Sequence, residues 1–265
     1  EVLCLQGAQC QRVAHLPALA LPGGDVAARE PWRLAAAALH ALGRGNEIVP
    51  RFGPRVGEPT AKLLHTMLQR GLNCPTSTAA GRWFDAAAGA LGLSLRQGSE
   101  AEAAIALEEA AARWLAAHPQ DSDWNAGPAL GAAALDLGPT LSALLQVPPS
   151  GVPTFDETVG RAAAGFHRRL AQGLVQAAAL AANASGAMQV ALGGGCFFNR
   201  ILSRDVTDGL QTLGLQVLRP RQWSCGDAGL AVGQAWAAAL QIQASRSDTR
   251  RSAMYQRDHV LSFES

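Results

Sequence analysis

The sequence has almost no excess of charge of either sign, because 22 lysines and arginines are balanced by 21 aspartates and glutamates, for a net charge of +1. A protein that holds a phosphate backbone by charge alone needs a basic field over part of its surface. Because no such field exists here, nucleic acid is not the expected partner.

Paired cysteines and clustered histidines are also missing. The number of cysteines is odd and no Cys-x-x-Cys pair occurs, so neither a disulfide framework nor a zinc ribbon is indicated. The histidines never occur as His-x-His or His-x-x-x-His. These patterns favour reduced thiols in a cytoplasmic protein. The five cysteines stand at positions 4, 10, 74, 196 and 225.

No apolar run reaches the length of a membrane span, although alanine is abundant, so no membrane partner is expected. The first residues, Glu-Val-Leu-Cys-Leu-Gln, lack the basic flank and long apolar stretch of a signal peptide. They resemble a strand that is cut at its start. We therefore expect the chain to begin inside a larger protein, or to pair with a partner that carries the missing part.

Helical periodicity dominates the chain, and the few strands predict a helix-rich α/β fold. One helix is expected over residues 26–43, and residues 44–57, which contain five glycines or prolines, read as a loop. The predicted regions are the end of a first-lobe sheet with its connection, a helical part, an α/β unit with a glycine turn and a polar tail. They span residues 1–25, 26–186, 187–243 and 244–265.

A strand, a glycine turn and a helix start follow one another over residues 190–200, and a second glycine loop at 224–230 opens another helix. Such turns expose backbone N–H groups to an anion, and glycine lets the backbone approach a phosphate closely. Asn199 can donate and accept hydrogen bonds beside the bound group. Many glycine turns only reverse the chain, so this simpler interpretation stays open on the pattern alone.

Gly81 and Asp85 are spaced to share one face of a predicted helix. A carboxylate beside a glycine can accept hydrogen bonds from both hydroxyls of a ribose, and the sugar can then lie against the bare backbone of the glycine. An amphipathic helix with a surface aspartate explains the spacing equally well.

Three other residues have simpler structural explanations. Glu102, with Glu100, lies in the first turn of a predicted helix, where the macrodipole alone favours acids. Asp227 begins a helix and is typical of a cap, although it could give one oxygen to a metal ion. Cys196 follows the glycines and resembles a small buried apolar residue more than a nucleophile.

Taken in order, these segments resemble the HypF carbamoyltransferases of nickel–iron hydrogenase maturation, and more narrowly most of their C-terminal domain, which is related to the tRNA threonylcarbamoyltransferase TsaD. The resemblance covers about residues 1–240. The matching text runs over 16–25 (Leu-Pro-Ala-Leu-Ala-Leu-Pro-Gly-Gly-Asp), 30–33, 73–86, 100–108, 194–200 (Gly-Gly-Cys-Phe-Phe-Asn-Arg) and 226–234 (Gly-Asp-Ala-Gly-Leu-Ala-Val-Gly-Gln).

The resemblance implies the actin-like ATPase fold, with two lobes around a nucleotide cleft, of which this chain supplies the second lobe and the end of the first. It implies that Gly81 and Asp85 hold the ribose and that Asp227 binds a divalent metal, iron or zinc. The nucleotide-binding residues that it implies are Gly81, Asp85, Glu102, Gly194, Gly195 and Asn199.

The activity implied is the transfer of a carbamoyl group from carbamoyl-adenylate, made from carbamoyl phosphate and ATP, to the C-terminal cysteine of HypE. The thiocarboxamide becomes a cyanide ligand of the hydrogenase iron. The partners implied are HypE and the upstream acylphosphatase, zinc-finger and YrdC-like domains, or the missing lobe. Two alternatives stay open: another TsaD-like or O-carbamoyltransferase, and an inactive lobe that binds partners.

The sequence also departs from the family's pattern. The family's paired histidines and its Asp-Gly strand are expected just before residue 1, so this chain alone is not expected to complete the metal site or to be active. The family usually has serine at Ala79 and Gly193 and glycine at Ala228. It has Tyr-Glu-Gly where Ser99-Glu100-Ala101 stand. These changes indicate a weaker or diverged enzyme.

Overall fold

The computed structural model describes residues 1–7, 9–119, 135–147 and 157–243, which form ten α-helices and six short strands. The strands are Val2–Gln6 (β1), Gln9–Ala14 (β2), Leu19–Ala20 (β3), Thr76–Ser77 (β4), Gln189–Ala191 (β5) and Gln216–Leu218 (β6). The helices are Asp25–Arg29 (α1), Pro31–Ala41 (α2), Ile48–Val56 (α3), Glu58–Arg70 (α4), Ala80–Leu91 (α5), Glu102–Ala117 (α6), Gly138–Leu144 (α7), Glu157–Ser185 (α8), Arg200–Thr212 (α9) and 230–243 (α10).

Helices α2 and α5 cross closely at the centre of the core. Their facing sides carry buried alanines at 35–38 and 86–88, which let the two backbones approach. A Cβ on Gly89 would lie only 2.5 Å from the carbonyl oxygen of Pro31. Glycine at this point therefore serves the packing, although it costs about 1 kcal/mol relative to alanine in a helix.

The long helix α8 joins this helical core to the C-terminal unit. Phe166 of α8 meets Phe84 of α5 edge to face, with ring centroids 5.2 Å apart. On another side, α9 packs so closely that a Cβ on Gly209 would lie 2.8 Å from the Val175 side chain. The fixed position of α8 between α5 and α9 brings the elements of the candidate site together.

The strands form three separate pairs among the described residues. β1 and β2 are antiparallel, β3 and β4 are antiparallel, and β5 and β6 are parallel. Helix α9 connects β5 to β6, so this unit is a strand–helix–strand crossover. A glycine turn after β5 therefore lies at the carboxyl end of a parallel pair, where α/β folds bind ligands.

Two sequence-based expectations about the helices are wrong. The single helix over 26–43 is divided into α1 and α2 at Glu30, because Pro31 disfavours the helical conformation in the residue before it. The loop over 44–57 is largely helical, since α3 buries Ile48 and Phe52 on one face. Pro50 lies in the first turn, where its missing N–H is tolerated, and apolar burial outweighs the turn residues.

The helical periodicity of the sequence also predicts helices near 58–71, 79–91 and 156–184, and the structure confirms them as α4, α5 and α8. The four-region division of the chain stays a prediction, and its polar tail, 244–265, lies outside the described residues. No helix within the described parts of the chain is both long and apolar enough to cross a bilayer.

Candidate nucleotide site

The glycine turn after β5 presents bare backbone to open space. Gly194 has a φ of +105°, a conformation that residues with a Cβ rarely adopt. A Cβ added at Gly193, Gly194 or Gly195 would meet no atom within 4 Å. A short 3₁₀ helix, Gly195–Phe198, then leads through Asn199 into α9. Because no atom of the described residues fills the space beside the three glycines, a ligand can approach their backbone.

The second glycine loop contacts the first. The backbone N–H of Gly194 donates to the carbonyl of Cys225 at 2.5 Å. A Cβ on Gly226 would lie 3.0 Å from the Phe198 ring and 3.6 Å from the Gly195 Cα. Asp227, the next residue, begins a short 3₁₀ helix and is exposed. Asp227 therefore directly follows a glycine that lies against the turn after β5.

Cys196 connects the glycine turn to the start of α5. Burial raises the pKa of the Cys196 thiol, and a hydrogen bond with the Gly81 backbone and the charges of Arg82 and Asp85 act on it as well. The first turn of α5 therefore lies against the turn after β5. A raised pKa keeps the thiol protonated at neutral pH, which disfavours a nucleophilic role.

Asp85 is buried, with only 2% of the residue exposed, so its interpretation as a surface aspartate is wrong. Its Oδ2 lies 3.0 Å from Nη1 of Arg82, yet this oxygen makes no hydrogen bond to the described residues. Burial raises the Asp85 pKa to about 6, against the opposing effects of Arg82 and Gln97. A buried carboxylate oxygen without a hydrogen bond is an unused acceptor.

Gly81 lies four residues before Asp85 on α5 and has no packing reason to be glycine. Its φ is not in the left-handed region, and a Cβ there would meet nothing within 4 Å. A glycine in a helix costs about 1 kcal/mol relative to alanine. The structure therefore keeps an empty space beside the first turn of α5 at an energetic cost.

Gln97 is a residue that the sequence analysis missed. Its side-chain amide donates to the carbonyl of Ala28 at 2.5 Å and to Oδ1 of Asp85 at 3.4 Å, while its Oε1 accepts from the Ala103 N–H at 3.0 Å. It ties α1, α5 and α6 together around the Asp85 carboxylate. No sequence pattern marks it, because its role depends on three elements that are distant along the chain.

Glu102 lies at the first position of α6, as expected, but its carboxylate is hydrogen-bonded to backbone groups just before the helix. Its Oε2 accepts hydrogen bonds from the backbone N–H groups of Gly98 and Ser99, at 2.7 and 3.2 Å. It also lines a groove with Arg55 and Arg96. The next residue along the chain, Ala103, donates to Gln97, which in turn donates to Asp85, and so Glu102 lies at the edge of the site.

Asn199 is buried, with 8% of the residue exposed, and its side chain makes hydrogen bonds in two directions. Its Oδ1 accepts from the N–H of Leu202 at 2.9 Å and caps α9, and its Nδ2 lies 2.9 Å from Nε2 of His167. His167 is fully buried, and burial lowers its pKa to about 4. No sequence motif surrounds this histidine.

The described residues do not form a metal site by themselves. No three of their histidines, cysteines, aspartates and glutamates come together in a way that could hold a metal ion. Asp227 alone offers too few ligands for a divalent cation. The predicted metal stays a prediction, and no chemical step is drawn through it.

The fold is that of a Kae1-like domain, a helix-rich α/β member of the actin-like fold class. The chain superposes on the crystal structure of full-length HypF in the phosphate- and nucleotide-bound form with a TM-score of 0.72 and 24% identity, covering 91% of this chain and 30% of that one. It superposes on HypF of T. kodakarensis with a TM-score of 0.69 and 22% identity, covering 89% and 30%. The helix-rich α/β fold expected from the sequence is confirmed.

Residues 1–234 match the family model described as carbamoyltransferase, Kae1-like domain, second subdomain. The chain is 52% identical to the carbamoyltransferase HypF homolog of Cupriavidus necator, covering 92% of this chain and 61% of that protein. It is 40% identical to carbamoyltransferase HypF2 of the same bacterium, covering 90% and 31%. The chain therefore belongs to the HypF carbamoyltransferase family, and it spans about three fifths and one third of the length of these two relatives.

Proposed function

We propose that this chain is part of a carbamoyltransferase that transfers a carbamoyl group from carbamoyl-adenylate to the C-terminal cysteine of HypE. The carbamoyl-adenylate is formed from carbamoyl phosphate and ATP. In this reaction the thiolate attacks the carbamoyl carbon, the bond to the AMP oxygen breaks, and AMP leaves with the electron pair. The thiocarboxamide product is the precursor of a cyanide ligand in nickel–iron hydrogenase. Membership of the family supports this proposal.

One structural observation carries the nucleotide part of the proposal: glycines on two elements face open space where those elements meet. Gly81 is on α5, Gly194 and Gly195 are in the turn after β5, and Cys196 lies against both. Backbone N–H groups of the turn, next to the start of α9, suit the negative charge of a phosphate. The residues present therefore fit an adenosine phosphate.

In this proposal, Asp85 accepts hydrogen bonds from the ribose hydroxyls, which would satisfy its unused oxygen. Because Oδ2 is ion-paired with Arg82, this binding requires the partly exposed Arg82 side chain to move away from the carboxylate. Since the Asp85 pKa is raised to about 6, the carboxylate is mostly ionised at pH 7. Nucleotide affinity is then expected to fall as the pH drops below about 6, because the neutral acid accepts more weakly.

The Gly81→Ala substitution tests the site. A methyl group there meets no atom of the described part of the chain, so the variant should be about 1 kcal/mol more stable, yet the methyl would occupy the ribose space. We expect calorimetry on the full-length protein with ADP to show at least a tenfold loss of affinity, together with a higher melting temperature.

Gly233→Ala is the matched control. Gly233 lies in α10 with no atom within 4 Å of an added Cβ, so this variant should gain stability and keep its nucleotide affinity. Unchanged affinity in Gly81→Ala would remove the ribose assignment. Nucleotide binding without carbamoyl transfer to HypE would instead favour the alternative of an inactive lobe.

Asp227 remains a proposed metal ligand in the full-length protein, completed by ligands that the described residues do not supply. Elemental analysis of Asp227→Asn should show reduced iron or zinc, whereas full metal content in this variant would exclude the role.

A further inference from the structure

His167 lies in the interior and has no evident reason to be histidine rather than an apolar residue. It is fully buried in α8, and its ring meets the Phe84 ring edge to face with centroids 5.4 Å apart. A buried imidazole costs free energy unless both of its nitrogens are hydrogen-bonded. Both nitrogens have partners here, and the partner of one of them belongs to the candidate nucleotide site.

The partners of His167 determine where its proton lies. Nδ1 is 2.8 Å from the carbonyl oxygen of Ala163, which can only accept, so Nδ1 carries the hydrogen. The ring is neutral because burial lowers its pKa to about 4. Nε2 is therefore an acceptor, and the group opposite it, Nδ2 of Asn199, must be a donor.

This proton arrangement decides how the Asn199 amide is oriented. With Nδ2 directed to His167, Oδ1 faces the Leu202 N–H and caps α9. The reversed amide would place two acceptors together at His167 and two donors together at Leu202. One hydrogen on Nδ2 is left over, and it is the donor that Asn199 can offer to a ligand.

We infer that His167 is a positioning residue for nucleotide binding: it holds the Asn199 amide in one orientation and so presents an N–H beside the glycine turn. Asn199 directly follows the short 3₁₀ helix Gly195–Phe198, and its own backbone N–H donates to the Cys196 carbonyl. A change at His167 therefore reaches the turn through Asn199. This inference rests on the proposed nucleotide site.

Substitutions at His167 can separate the two hydrogen bonds in the full-length protein. His167→Gln keeps an acceptor near the position of Nε2, whereas His167→Asn keeps only a donor near that of Nδ1, and His167→Leu removes both. We expect calorimetry with ADP, below the melting temperature of each variant, to show affinity within threefold of the parent for His167→Gln. The Asn and Leu variants should lose at least tenfold.

Three outcomes distinguish the failure of this inference from that of the proposed function. If His167→Asn and His167→Leu bind ADP like the parent while Gly81→Ala does not, His167 has no positioning role and the site survives. If none of these variants loses affinity, the proposed site itself is wrong. Independently of any variant, ¹⁵N NMR of the parent should show a neutral His167 with hydrogen on Nδ1, and hydrogen on Nε2 would overturn the inference.

Discussion

Ala101 occupies a conformation that suits glycine. It stands just before α6 with φ 61° and ψ 7°, in the left-handed region where a Cβ collides with the backbone. The resemblance to the family implies a glycine at this position, where Tyr-Glu-Gly is expected in place of Ser99-Glu100-Ala101. The alanine that stands there instead therefore has a local energetic cost.

The Ala101→Gly substitution should increase the free energy of unfolding by about 1 kcal/mol, because the strain of the left-handed alanine exceeds the entropy cost of glycine. Urea denaturation of the full-length protein measures this change. Ala112→Gly provides the control, since Ala112 is exposed within α6 and the same substitution there should destabilise by about 1 kcal/mol. Equal effects in both variants would contradict the prediction.

Helix α5 carries two glycines with opposite functions. Gly81 borders open space, whereas Gly89 contacts the Pro31 carbonyl of α2 across the core. Intrinsic helix propensity treats the two positions alike, so only packing distinguishes them.

Gly89→Ala should therefore destabilise the protein by about 3 kcal/mol, because α2 and α5 must move apart to admit the methyl group. Gly81→Ala on the same helix should have the opposite sign. Thermal unfolding of the two variants compares them directly, and a stabilised Gly89→Ala would refute the close crossing of α2 and α5.

The helices show which elements can be predicted from the sequence pattern and which cannot. Helices with regular apolar spacing, such as α4, α5 and α8, are predictable because local spacing dictates the buried face. Helix α3 is not, because five glycines or prolines around it indicate a turn and only the burial of Ile48 and Phe52 offsets them. At this scale the sequence pattern fails where tertiary contacts outweigh local propensity.

The stability of the whole molecule depends on two buried titratable groups with opposite pH effects. The His167 pKa falls from 6.5 to about 4, so the unfolded chain binds the extra proton and stability decreases as pH falls through this range. The Asp85 pKa rises from 3.8 to about 6, so the folded state binds the extra proton and stability decreases as pH rises through that range. The two effects therefore oppose each other over the range between about pH 4 and pH 6.

Removing one of the two titratable groups should reveal the effect of the other on the pH dependence of stability. Asp85→Asn should lose about 3 kcal/mol more stability than the parent between pH 7 and pH 4, owing to His167. His167→Gln should show the opposite change: relative to the parent, it should become more stable as the pH falls, owing to Asp85. Chemical denaturation at pH 4, 5, 6 and 7 measures both, and parallel pH profiles for all three proteins would contradict the assignment.

The exposed surface of α10 is also a property of the whole molecule. This helix carries no charged residue over 230–243, and its Leu230, Trp236 and Ile242 are all more than half exposed. Although α10 contains three glutamines, it has apolar residues on every side, which is typical of a helix that is buried in a larger protein. This agrees with a chain that spans only part of the length of its relatives.

The sequence by itself determined the family, the helix-rich class, the glycine turns and the spacing of Gly81 and Asp85, because these depend on residue order and local conformation. Only the tertiary structure decided that Asp85 is buried, that Gln97 and Arg82 surround it, and that His167 orients Asn199. Burial and hydrogen-bond partners arise when distant elements pack together, here α1, α5, α6, α8 and the turn after β5. No local pattern encodes which side chains will face each other there.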